Sequence, residues 1–160
     1  TYLIHDRSIT DLLDALATYA GGTLPLPTAP AQPERLCYDH AAGHLGVALL
    51  DHLLKQGALR RADDSSDELR LGPGARQALA KFGVDADAPQ AGRRKIATSC
   101  LDRSLRRPHL GGSLGYALLV QLQERGLVYA DPKTRTLTVN RRRQEELAIL
   151  LPGLADGLRR

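Results

Sequence analysis

Apolar residues fall at helical spacing along three stretches of this chain, separated by short runs with the alternation of strands. Ile9, Leu12, Leu13, Leu16 and Ala20 share one face of a helix predicted over residues 9–19, with Ser8 as its N-cap and Gly21-Gly22 as its stop. Leu45, Ala48, Leu49 and Leu53 predict a long helix over residues 38–56, bent at Gly43 or Gly46 and closed by Gly57. The runs ALRR (58–61) and ELRL (68–71) flank the polar tip ADDSSD and predict a β-hairpin. Pro73 then opens a helix that ends at Phe82 and Gly83.

The same order returns once. HAAGHLGVALLDHLLKQG (40–57) shifted by 69 residues becomes HLGGSLGYALLVQLQERG (109–126), and nine of eighteen positions are identical. Unrelated segments would share about one in eighteen, so the chain contains a duplication. The second copy predicts a helix to Arg125, strands over 127–130 and 136–139, and a helix over 141–151. The expected fold is mainly α with short β-hairpins (α+β): a tandem pseudo-twofold repeat of winged-helix-like helix–hairpin–helix units, with the leucine faces of the long helices packed together. The repeats occupy 35–83 and 98–160, joined by a loop over 84–97. Pro25, Pro27, Pro30 and Pro33 make residues 23–34 an extended linker.

Composition adds little to this pattern. The 160 residues are 42% hydrophobic and 25% charged, with one Phe and no Trp, so a leucine- and alanine-rich core is expected. A net charge of +4, scattered over five basic clusters, is weak support for a nucleic-acid partner. Two cysteines fit a reducing compartment better than a disulfide scaffold, and no apolar run approaches the ~20 residues of a membrane span. The chain opens in what reads as the middle of a strand, as expected of a fragment lacking its upstream part.

Chemistry concentrates ahead of each long helix. Cys37, Asp39 and His40 stand before the first; Cys100, Asp102 and His109 stand before the second, with six more residues between Asp102 and His109 than between Asp39 and His40. Thiolate, imidazole and carboxylate suit zinc or another borderline-soft metal, with Cys37, His40, Cys100 and His109 as the ligand set, and two thiols can also form a redox pair. Against this stands the commoner use of cysteine as a small buried hydrophobe, which outweighs sensing on base rates. Arg103, Arg106 and Arg107 suit an anionic ligand, or more ordinarily pairing with Asp39 and Asp102. His40 and His44 share a helix spacing but lack the glutamate of a zinc protease, and no catalytic residue is assigned. Arg141, Arg142 and Arg143 oppose the helix dipole and hint at a phosphate or partner carboxylate. The outward positions Asp51, His52, Lys55 and Gln56, and Gln121, Glu124 and Arg125, are near neutral, which disfavours direct reading of DNA by the repeats.

RLCYDHAAGHLGVALLDHLLKQGAL (35–59) and CLDRSLRRPHLGGSLGYALLVQLQERGLV (100–128) resemble the C-terminal region of the longer bacterial ArsR-type winged-helix transcriptional regulators. Arg103 departs from that pattern, which favours tryptophan. The resemblance implies that residues 1–22 are the last wing strand and dimerisation helix of an N-terminal DNA-binding domain. It implies a cytoplasmic, homodimeric, non-enzymatic repressor that binds operator DNA through a head mostly absent from this chain. A metal, oxidant or small ligand would act at Cys37, Asp39, His40, Cys100, Asp102, Arg107 and His109. The other readings are a purely structural dimerisation module and a Cys/His-dependent enzyme.

Overall fold

The computed structural model describes residues 34–63, 66–87, 94–102 and 104–154, all within the compact unit Gln32–Arg160. The strand and helix expected before the linker, and nearly all of the linker itself, lie outside these residues.

Each copy of the repeat begins with a hairpin that the periodicity did not reveal. Strands β1 (Glu34–Cys37) and β2 (His40–Ala42) precede helix α1 (Gly43–Lys55), so the predicted helix over 38–56 loses its first five residues to a turn and a strand. In the second copy, β5 (Ala97–Asp102) and β6 (Arg107–Gly111) precede helix α3 (Gly112–Glu124). The two helices start 69 residues apart, the offset of the sequence repeat. Both end on the expected glycine: the amides of Ala58 and Leu127 reach back to the carbonyls of Leu53 and Leu122 at 2.8 and 2.9 Å, as glycine-terminated helices do.

A second hairpin follows each helix, β3 (Leu59–Arg61) with β4 (Glu68–Leu71), and β7 (Val128–Asp131) with β8 (Thr136–Val139). A short helix completes each copy: α2 (Ala75–Ala80), and α4 (Gln144–Leu150), the latter entered through a 3-10 turn at Arg141–Arg143. The hairpins then pair across the copies. One antiparallel sheet runs β2-β1-β8-β7 and the other β3-β4-β5-β6, so each sheet joins the leading hairpin of one repeat to the trailing hairpin of the other.

This arrangement corrects the expected fold class. Two four-stranded antiparallel sheets, not a mainly helical bundle, form the frame. The repeats are not self-contained winged-helix-like units, because neither has a complete sheet of its own. The physical reason is tertiary. ERLC and HAA are short and carry no β-branched residue; partners across the hairpin and across the repeat hold them extended where local preference does not. Nor do the long helices chiefly pack on each other: α1 lies on β6 and α3 on β2, with β2 and β6 side by side. Their leucines, Leu45, Leu49, Leu50 and Leu53 with Leu114, Leu118, Leu119 and Leu122, are nevertheless buried in one core that also takes in Phe82.

Candidate functional site

The two leading hairpins solve one geometrical problem with different lengths of chain. In the first, the turn Tyr38-Asp39 leaves Cys37 directly opposite His40; in the second, a longer hairpin leaves Cys100 directly opposite His109. Side chains directly opposite on antiparallel strands share a face. Each hairpin therefore presents one thiol beside one imidazole, and the contact of β2 with β6 brings the two pairs together. The imidazole rings of His40 and His109 lie 5.3 Å apart, tilted by 30°. Ligand atoms of Cys37, His40 and His109 all lie within 4.8 Å of one another.

Cys100 sits outside that trio but borders it. Its Sγ lies 3.6 Å from Thr98 Oγ1, on the same face of β5. The space where Gly111 lacks a side chain is walled by three polar atoms: a Cβ there would stand 2.7 Å from Cys100 Sγ, 2.7 Å from Thr98 Oγ1 and 3.2 Å from His40 Nε2.

Both histidines are buried, and a carboxylate stands behind each. Asp39 Oδ1 is 3.4 Å from His40 Nδ1, and Asp102 Oδ2 is 4.0 Å from His109 Nδ1. His40 Nε2 and both ring nitrogens of His109 are buried with no hydrogen-bond partner. Burial holds His40 below the ordinary imidazole range, partly offset by Asp39, and burial with the neighbouring His40 pushes His109 down to about 4. Both rings are thus neutral at pH 7 and keep a free lone pair. Burial also pushes the Cys37 thiol up, and the nearby Cys100 adds to this.

The remaining predicted site residues divide. Asp102 is fully buried and held by Arg35 at 2.9 Å, while Asp39 pairs with Arg94 at 2.6 Å. Of the arginines expected to pair with these two acids, Arg107 turns instead to Asp51 at 2.5 Å, and Arg103 lies outside the described residues. His44 belongs to α1 and faces Glu34 at 3.6 Å, so the helical His40/His44 pair does not exist. Thr98, Arg35 and Glu34 were not foreseen. Thr98 was detectable in principle, since Thr98, Cys100 and Asp102 alternate as one face of a strand must.

Glu34 and Asp102 share a structural task. Helix α1 starts after Ala42, which has no side-chain acceptor, and the two buried acids cap it instead: Asp102 Oδ2 accepts from the Gly43 amide and Glu34 Oε2 from the Leu45 amide, both at 2.8 Å. Burial pushes the Glu34 carboxyl up to about 8 despite the Leu45 amide. Its folded-state value lies above its ordinary 4.5, so its stabilising contribution is full below pH 4.5 and is lost as the pH rises through about 8. Relative to Glu34→Gln, the wild-type protein is expected to lose about 2–4 kcal/mol between pH 5 and pH 8. Urea midpoints at both pH values check this; parallel profiles for the two proteins would refute it.

Among the described residues no helix is long and apolar enough to cross a membrane. No protein-family profile and no solved structure matches the chain. Over 105 residues, 66% of its length, the chain is 36% identical to the uncharacterized HTH-type transcriptional regulator YdfF of Bacillus subtilis (strain 168), of which it spans 45%.

Proposed function

We propose that this chain is the effector-responsive region of an HTH-type transcriptional regulator of the ArsR type, a cytoplasmic homodimeric repressor that contacts operator DNA through a winged-helix head preceding residue 34. The observation that carries the regulatory part is the 36% identity to an HTH-type regulator. The ArsR type rests on the CYDH and CLD motifs (37–40 and 100–102) and their separation.

An effector role for the thiol-imidazole cluster is supported by its energetics. A buried polar atom without a partner costs about 1–3 kcal/mol, and the cluster holds three such nitrogens where two apolar side chains would pack at no such cost. A purely structural dimerisation module has no use for that cost. Cys/His catalysis is disfavoured because burial keeps the Cys37 thiol protonated, whereas a nucleophile needs the thiolate. An effector seated between β2 and β6 would favour one packing of the two repeats, and through it one geometry of the dimeric head.

The test is a mobility shift with the full-length regulator and the DNA upstream of its own gene. Retardation at nanomolar protein, surviving a large excess of unrelated DNA, is expected. Retardation that unrelated DNA abolishes would refute operator recognition.

A further inference from the structure

We infer that Cys37, His40 and His109 bind a single borderline-soft divalent ion, zinc in the first instance, with Cys100 closing a four-ligand shell between the two repeats. The inference deepens the effector reading above and rests on it only for its regulatory meaning; ion binding itself is read without DNA.

The geometry is that of a site one short contraction from closure. Tetrahedral zinc with sulfur at about 2.3 Å and nitrogen at about 2.0 Å holds its ligand atoms roughly 3.3–3.8 Å apart. Here three of them already lie within 4.8 Å of one another, so each needs to move by about 1 Å or less. The ligand types fit: two thiols and two imidazoles form a common zinc set and exclude magnesium or calcium, which demand oxygen.

Behind the ligands stands the second layer that zinc histidines require. A ligating imidazole donates its other N–H to a carboxylate, which fixes the tautomer and aims the free nitrogen. Asp39 lies 3.4 Å from His40 Nδ1, leaving His40 Nε2, buried and unpartnered, for the ion. Asp102 lies 4.0 Å from His109 Nδ1 and reaches hydrogen-bonding distance with the same small closure. Cys100 Sγ and His40 Nε2 both face the bare α-carbon of Gly111, which places the second thiol beside the free nitrogen of His40. Binding displaces the thiol protons to solvent, one from each cysteine that ligates.

Reduced, metal-free protein, the whole chain, is titrated with Co2+ as a spectroscopic stand-in and then with Zn2+. One equivalent of Co2+ is expected to give the intense visible bands of a tetrahedral ion with a near-ultraviolet thiolate-to-cobalt band, both erased by one equivalent of Zn2+. Cys37→Ser is expected to weaken Zn2+ at least 100-fold, and Cys100→Ser to halve the thiolate-to-cobalt band. Because buried variants can misfold, Asp39→Asn serves as the second measurement; it keeps every ligand and the fold, and is expected to weaken Zn2+ about 10–100-fold. Weak octahedral bands, or Zn2+ affinity unchanged in both Cys37→Ser and Asp39→Asn, would overturn the site. A full-strength thiolate-to-cobalt band in Cys100→Ser would overturn the fourth ligand. A regulator that fails to bind its operator while the cobalt spectrum appears would refute the regulatory reading and leave the site standing.

Discussion

Asp102→Ala is expected to remove about 3–5 kcal/mol of folding stability, while Asp39→Ala, at the corresponding place in the other hairpin, removes less than about 1 kcal/mol. The difference lies in what each carboxylate holds. Asp102 is fully buried and accepts from four donors: Arg35 at 2.9 Å, the Gly43 amide at 2.8 Å, and the amides of Ser104 and Leu105 at 2.9 and 3.0 Å. It ties β5 of the second repeat to β1 and to the first turn of α1 in the first. Its removal leaves the Arg35 guanidinium and the Gly43 amide at the helix start without their acceptor at once. Asp39 is partly exposed and pairs with Arg94, a contact that water and salt screen.

Acid titration separates the two contributions further. Burial acts to raise the Asp102 carboxyl, but the Leu105 and Gly43 amides and Arg35 outweigh it and hold the group below its ordinary 3.8. A lowered folded-state value means stability that is full above the ordinary 3.8 and lost as the pH falls from there through the lowered folded-state value. Asp102→Asn, which keeps the shape, is therefore expected to flatten the acid limb of the wild-type stability curve. Urea midpoints at pH 7 and on acidification measure both effects. A midpoint for Asp102→Ala within about 0.5 kcal/mol of wild type would refute the capping role.

The capping role also marks where sequence reasoning stopped. The two long helices with their glycine ends and the trailing hairpins follow from residues a few positions apart, and the duplication from a direct match of two segments, so all can be read from the sequence. The leading hairpins cannot. HAA (40–42) joins smoothly onto GHLGVALL (43–50) as helix, and only its partners across space make it a strand. The mainly helical reading came from that join and from a leucine-rich composition that serves sheets and helices alike.

The site was legible as a list of residues because Cys, Asp and His recur, yet its geometry was not. On a helix, Cys37 to His40 and Cys100 to His109 are unrelated spacings. Across an antiparallel hairpin they are equivalent, because two extra residues on each strand and two more in the turn leave the thiol opposite the imidazole. Glu34 sat unread at the end of a proline-rich linker because nothing local tells that its carboxyl oxygen meets the Leu45 amide.

Gly46→Ala and Gly115→Ala are each expected to cost about 3 kcal/mol or more, although replacing a mid-helix glycine by alanine ordinarily gains about 1 kcal/mol. Both glycines face the preceding strand at no distance to spare. A methyl on Gly46 would meet the Ala41 carbonyl and stand 3.2 Å from His109 Cβ; one on Gly115 would stand 2.7 Å from the Leu110 carbonyl oxygen and 3.3 Å from His40 Cβ. Backbone oxygen cannot rotate aside as a side chain can, so the helix itself must lift. Gly153, with open space around its Cβ position, is the control: Gly153→Ala should change the midpoint by less than about 0.5 kcal/mol. The reciprocal contacts, Gly46 on His109 and Gly115 on His40, explain why the glycine was kept in both copies. Each lets one repeat's helix pack directly against the other repeat's histidine, so lifting either helix is expected to weaken cobalt binding along with the fold. Gly115→Ala with full stability and an unchanged cobalt spectrum would mean that the close approach neither holds the repeats together nor positions His40.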